Sequence, residues 1–297
     1  MDPEVKIAWR KGTAVPGFNI PYRPMMAPVV SALVDTNTFG LVMVARLEWE
    51  KFQAGSLEAI AEEYFRVGRE GFTRLHLDHV PVIDEDGQRV DFEEIVARAL
   101  KVGYHSVMVD GSRLSLRENI HCTRLVVEMA HGRGVPVEAE LGAVLGHEAA
   151  ALPDYEEIFS SGTCFTRPEE AALFVRATGV DWLSVAIGNI HGAISQALRH
   201  QPKKPARLDL NHLHRLQQAA DIPLVLHGGT GIQKEYLQAA IKNGIAKVNI
   251  ATAIRQVYEK WMDRSVSKAQ EEVYRTATTI LKEELAVAGN QTILRQA

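Results

Sequence analysis

Residues 74–80 read RLHLDHV, and this stretch decides how the rest of the chain is organised. Leu75 and Leu77 alternate with polar positions at the period of a β-strand. The run ends on an acid and a histidine side by side, Asp78 and His79. Neighbours on a regular strand face opposite ways, so if both serve one site, one of them has left strand geometry. His76 shares the parity of Asp78 and reads as an interior residue. Two further histidines close comparable apolar runs, His191 in AIGNIHG and His227 in LVLHGGTG.

Outward from this stretch, short apolar runs alternate with amphipathic ones. Strands are expected over 14–20, 40–45, 74–80, 105–111, 136–142, 182–188, 223–229 and 246–252. Helices are expected over 24–34, from the cap Ser56 to just before Gly71, and from the cap Asp91 to Gly103. Others are expected over 116–133, 168–178, 209–220 and 233–243, with two more, 253–262 and 267–287, closing the chain. Residues 143–166, rich in Gly, Ser and Thr, read as a lid or binding loop. This pattern predicts an α/β fold, a (β/α)8 TIM barrel with extra C-terminal helices, forming one catalytic domain over 1–297. A doubly wound sheet would call for a G-x-G-x-x-G after the first strand, which is absent.

The chain has 297 residues, 46% hydrophobic and 24% charged, with a net charge of -4. Mild acidity argues against a nucleic-acid partner, which would call for basic patches. No stretch reaches the roughly 20 apolar residues of a membrane span, and the charged opening MDPEVKIAWRKG lacks a signal-peptide core. Two cysteines, Cys122 and Cys164, make no disulfide framework. The expectation is a cytoplasmic protein with no membrane partner.

In a barrel the chemistry collects at the C-terminal strand ends. Those ends carry Asn19, Asp78, His79, Asp110, Glu138, Glu140, His191, His227 and Asn249, while the opposite ends carry little beyond Gly40, Pro136 and Pro223. Three histidines on strands three, six and seven can converge over the axis. Neutral imidazole ligands leave a divalent ion its full charge and an open position. Glu138 and Glu140 share a parity and face the lumen, and with Asp110 they can orient the ligands or offer a second cation position. GGTG at 228–231 and NIAT at 249–252 each lead into a helix, the arrangement that binds phosphate through backbone N–H groups. Gly228, Thr230, Asn249 and Thr252 are therefore candidate substrate and phosphate contacts, with Asn19 beside them. Strands three to seven hold no lysine for Schiff-base chemistry, and Lys247, at the start of strand eight, reads as a surface or barrel-bottom lysine.

The blocks LHLDH, SVMVDGS, VEAELG, GVDWLSVAIGNIHG, LVLHGGTGI and GIAKVNIAT, in that order from about residue 14 to 262, resemble the class II, zinc-dependent fructose-bisphosphate/tagatose-bisphosphate aldolases. The resemblance implies Zn2+ or another divalent ion on His79, His191 and His227, with room for a monovalent cation. It makes Asp78 the acid/base at the bond being broken and Glu148 the mobile-loop carboxylate that moves the second proton. Gly192 joins Gly228, Thr230, Asn249 and Thr252 around the phosphate, and Asp110 and Glu140 lie near the metal. The implied reaction is reversible cleavage of a ketose 1-phosphate or 1,6-bisphosphate to dihydroxyacetone phosphate and an aldehyde. The segments after His79 and His191 are longer than the family pattern, and Arg113 follows DGS where histidine is common. The alternatives are action on a different phosphorylated ketose, a metal-dependent isomerase or hydrolase, or a non-catalytic sugar-phosphate-binding protein. Apolar positions in the terminal helices, Val273, Ile280, Leu281 and Leu285, suit a homo-oligomer, dimer or tetramer.

Overall fold

A computed structural model describes residues 3–142, 155–162, 164–189 and 206–296. Eight parallel strands close into a barrel in sequence order: β1 (Val15–Asn19), β2 (Gly40–Ala45), β3 (Thr73–Pro81), β4 (Ser106–Asp110), β5 (Val137–Leu141), β6 (Trp182–Val185), β7 (Leu224–Leu226) and β8 (Ile245–Ile250). β1 pairs with β8, which leaves the sheet no open edge. The predicted TIM barrel is thus present.

The helices pack outside the strands: α1 (Glu4–Arg10), α2 (Met26–Asp35), α3 (Arg46–Lys51), α4 (Leu57–Val67), α5 (Phe92–Val102), α6 (Leu116–His131) and α7 (Tyr155–Ser161). They continue with α8 (Pro168–Thr178), α9 (Leu210–Ala220), α10 (Lys234–Lys242), α11 (Thr252–Trp261), α12 (Val266–Thr279) and α13 (Asn290–Arg295). The expected caps form. Ser56 accepts from Ala59 N–H and Asp91 from Glu94 N–H, each satisfying a first-turn donor and contributing about 1 kcal/mol. Gly103, at φ 99°, closes α5 in the left-handed conformation that a residue with a Cβ adopts only under strain.

The structure departs from the sequence pattern in four places. α7 lies inside the stretch expected to be a plain loop, α1 and the short α3 were not foreseen, and the last expected helix breaks. α12 ends at Thr279 and a π-helical turn, Ile280–Glu284, follows before α13. These short elements carry too few turns for helical periodicity to register.

Two apolar cores result. The larger lies between strands and helices and includes Phe18, Val42, Leu75, Leu183 and Leu213. The smaller plugs the lower lumen, where Val15, Leu41, Met43, Trp182 and Val225 meet Val5, Ile7 and Leu294 from the terminal helices. Above that plug the lumen turns polar.

Candidate active site

The strand that begins at Thr73 carries a register shift against β4 between Leu77 and Val80. His79 sits in that irregularity with φ at 29°. A bulge re-aims a side chain that regular alternation would send outward. It resolves the parity conflict of Asp78 and His79, since both now face the mouth. The Asp78 carboxylate is 1% exposed and held at both oxygens: Asn19 Nδ2 donates to Oδ2 at 2.9 Å and Asn249 Nδ2 to Oδ1 at 3.0 Å. β1 and β8 thus fix the group that β3 delivers.

The His79 and His227 rings meet edge to face, 4.4 Å between centroids. His79 Nδ1 lies 3.0 Å from Asp110 Oδ2, and His227 Nε2 lies 2.8 Å from Glu138 Oε1. Each imidazole therefore has one nitrogen held by a carboxylate, the arrangement that orients a metal-ligating histidine. His227 Nδ1 faces Glu140 Oε2 at 2.9 Å. Donor atoms of Asp78, His79 and His227 lie within 4.8 Å of one another, as do those of His79, Asp110 and Glu140. His191, Gly192 and Glu148 fall outside the described residues.

The electrostatics of the cluster ask for a cation. Burial alone would lower the pKa of His79, yet Asp78, the Asp110 hydrogen bond and Glu140 push it up to about 10. Burial likewise opposes a charged His227, but the Glu138 and Glu140 carboxylates win and raise it. Burial and the nearby Asp110 push Glu140 up. Burial opposes ionisation of Asp78, but His79 and Lys247 hold its carboxyl well below the usual range. Imidazoles that carboxylates drive toward the charged form occupy a place where a divalent ion would serve the same need. The residues present fit such an ion.

Beneath these groups lies a second row, in which Lys247 joins the expected lumen residues His76 and Glu138. Lys247 is 0% exposed and sits in the lumen, not at the surface. Its Nζ lies 2.6 Å from Glu138 Oε2, 3.8 Å from Asp78 Oδ1 and 3.4 Å from His76 Nε2. The surface reading of Lys247 is therefore corrected. Lys247 shares parity with Asn249, a residue expected at the barrel mouth two positions on, so the signal is present in the sequence. His76 is interior as expected; its Nδ1 lies 2.8 Å from Ser106 Oγ. Burial and Lys247 hold His76 down at about 3, so the ring is neutral. The triad of His76, Asp78 and Glu138 already has the Lys247 ammonium as its cation. Trp182 Nε1 also donates to Glu138 Oε2, at 2.8 Å.

At the tip of β2, Glu48 on α3 is buried, and its Oε2 accepts the Ala45 N–H at 2.8 Å. Burial lifts its carboxyl to about 8 despite that hydrogen bond. Nothing in the apolar run of β2 marked this acid.

On the β7–β8 side, Gly229 N–H donates to Asn249 O at 3.1 Å, which ties the glycine loop after β7 to the end of β8. Gly229 has to be glycine here, because a Cβ would sit 2.6 Å from Val248 Cγ1. The Thr230 Oγ1 and Asn249 Oδ1 atoms are buried and have no hydrogen-bond partner among the described residues. Neither α10 nor α11 carries a side-chain cap, so their first-turn N–H groups remain available to an anion. Gly228 and Thr252 stand at these loop and helix starts.

The description "Fructose-bisphosphate aldolase class-II" belongs to the family model that matches residues 2–293. The chain belongs to the class II fructose-bisphosphate aldolase family. It is an enzyme, a carbon–carbon lyase of that family. Among solved structures it is similar to the YdjI aldolase from Escherichia coli K12, at 27% identity and TM-score 0.71, covering 97% of this chain and 96% of that one. It is also similar to a Coccidioides immitis protein assigned as a fructose-1,6-bisphosphate aldolase, at 26% identity and TM-score 0.75, covering 98% and 97%. The fructose-bisphosphate aldolase of Campylobacter jejuni, 18% identical with TM-score 0.71 over 96% and 94%, shares the fold. Among the described residues no helix is long and apolar enough to cross a membrane.

Proposed function

We propose that this class II aldolase is a zinc-dependent enzyme that reversibly cleaves a ketose 1-phosphate or 1,6-bisphosphate to dihydroxyacetone phosphate and an aldehyde. The observation that carries the reading is the Asp78 carboxylate, clamped by Asn19 and Asn249 beside the paired rings of His79 and His227.

His79 and His227 would hold the ion together with His191, with Asp110 orienting the His79 ring and Glu138 the His227 ring. The ion, when bound, supplies Lewis-acid stabilisation of the charge that develops on the ketose carbonyl. Asp78 takes the proton of the hydroxyl next to the bond that breaks. That O–H electron pair becomes the aldehyde C=O, and the C–C pair passes to the dihydroxyacetone phosphate portion. Glu148 returns a proton to that carbon. The ionised state of Asp78 suits a proton acceptor, and the two carboxamides fix its direction. Thr230 offers an unused buried hydroxyl to the phosphate, the helix start at Thr252 would add backbone N–H groups, and Gly192 and Gly228 are its further candidate contacts. Asn249 keeps a carboxamide oxygen for a substrate hydroxyl. A monovalent cation would lie beside the first ion, near Asp110 and Glu140, whose donor atoms are within 4.8 Å of each other and of His79. We place the enzyme in the cytoplasm as one catalytic domain that forms a dimer or tetramer, through surfaces other than Val273, Ile280, Leu281 and Leu285, which pack in the chain's own core.

A coupled dihydroxyacetone-phosphate assay over a panel of ketose phosphates, with metal content measured on the same sample, tests this. Cleavage that a chelator abolishes and zinc restores is expected. Cleavage indifferent to chelation, or none from zinc-loaded protein, would sink the proposal. Two ions per chain with hydrolysis or isomerisation of the same substrates would favour the hydrolase or isomerase reading.

A further inference from the structure

The lower end of the barrel, opposite His79 and His227, holds a cavity of about 560 Å3. That volume is within the roughly 300–1,000 Å3 of small-molecule sites. It opens between α1, α13 and the starts of β2, β3, β4 and β6. Val5, Ile7, Leu41, Trp182 and Leu294 give it apolar walls.

Its polar groups are mostly donors. Arg295 lies against Gly71, with its guanidinium 5.9 Å from the Phe72 ring centroid, and no carboxylate pairs with it among the described residues. Arg74 Nη2 is 3.4 Å from Glu4 Oε1, the one acid of the lining. His105 Nδ1 accepts the Leu75 N–H at 3.0 Å, so the neutral ring carries its proton on Nε2. Burial and Arg74 both keep that ring neutral by lowering its pKa. Gln291 Nε2 donates to Gly71 O. Apolar walls with cations at the rim complement an amphipathic anion.

Two walls also connect upward. Trp182 Nε1 donates to Glu138 Oε2, and the other oxygen of Glu138 holds His227 Nε2. Ser106 Oγ contacts His76 Nδ1 at 2.8 Å. The cavity is therefore one hydrogen bond away from the buried charged row.

We propose that this cavity is a binding site for a small molecule with an apolar body and one anionic group, a carboxylate or a phosphate monoester, and that its occupancy is transmitted to Glu138 through Trp182. The apolar body packs between α1 and α13 on Ile7 and Leu294, which cluster with the nearly covered Trp182 ring, and the anion takes Arg295 with Arg74 beside it. A bare inorganic anion gains only the second contact. A ligand that presses on the Trp182 ring moves the indole N–H that fixes Glu138.

The test uses the full chain labelled with 15N-tryptophan, whose four indole N–H signals are resolved singly, that of Trp182 being assigned by Trp182→Phe. Benzoate, phenyl phosphate and inorganic phosphate are titrated in separate arms. The expected result is a saturable shift of the Trp182 signal with benzoate or phenyl phosphate, at concentrations where inorganic phosphate leaves it in place. The more effective arm tells carboxylate from phosphate. Arg295→Gln and Arg74→Gln should each weaken binding about tenfold, the scale of one lost charge-assisted contact. Leu294→Trp fills the cavity without altering charge and should abolish the shift in a protein that still melts cooperatively. No shift with either organic anion overturns the proposal. So does a shift that survives both arginine variants and Leu294→Trp, because the ligand is then elsewhere. Because no step reads aldol cleavage, failure here leaves the aldolase proposal standing, and the converse holds.

Discussion

Replacing Lys247 with methionine removes one charge from a pair that is fully buried. In the wild type its Nζ is 2.6 Å from Glu138 Oε2, and neither side chain is exposed. Burial penalises an ionised Glu138, but the Lys247 ammonium and the His227 hydrogen bond bring its carboxyl down to about 2. Lys247→Met leaves that carboxylate with two donors, Trp182 and His227, and no ammonium. Breaking a buried pair from one side costs ~3–5 kcal/mol, and the surviving hydrogen bonds favour the lower end. At ~2.1 cal/mol/K of unfolding entropy per residue over 297 residues, each kcal/mol moves the midpoint by about 1.6 °C. The expected drop in Tm is about 5 °C, measured by scanning calorimetry at neutral pH. Adding Glu138→Gln removes the stranded charge and should recover at least half of the loss. A single variant within about 1 °C of wild type, or a double variant as weak as the single, would refute the view of Lys247 as the counter-ion of Glu138.

Three further outcomes follow from the site. Asp78→Asn should keep the divalent ion but lower kcat by about 10²–10⁴-fold in the coupled assay, the range of a lost general base; Asn19→Ala should lose less, because Asn249 still holds one carboxylate oxygen. His227→Ala should leave the purified protein without stoichiometric metal by elemental analysis, and Glu138→Gln should weaken binding ~10–100-fold through the His227 ring. Glu48 has a folded pKa of about 8 against an ordinary 4.5, so between those values the folded form keeps a proton that the unfolded chain has released. Its contribution to stability therefore falls as pH rises through that window, and Glu48→Gln should gain in melting temperature over wild type at pH 8.5 relative to pH 5. An equal offset at both pH values would contradict this.

Most of the barrel is legible in the sequence because its strands are buried on both faces and read as apolar runs, while its longer helices carry caps and a helical period. The polar tips are legible for the same reason: Asp78, Asp110, Glu140 and His227 each interrupt or end an apolar run. Parity alone also separates His76 and Glu138 as lumen residues. Lys247 was misread, although parity with Asn249 put it inside, because a lone lysine is so rarely buried without a partner. Its partner, Glu138, is 109 residues away on β5, three strands round the barrel from β8.

By itself, then, the sequence determined the alternation that closes eight strands, the residues at their upper ends and the two stretches, GGTG and NIAT, that lead into helix starts. Tertiary structure decided what those residues do to one another. The bulge at His79 exists only against the register of β4, and it turns two neighbours toward one mouth. The charge states of Asp78, His79, Glu48 and Glu140 come from burial and from partners on other strands, which no local pattern encodes. The lower cavity depends on two short helices at opposite ends of the chain meeting under the barrel, and that meeting is fixed by the closure of the sheet.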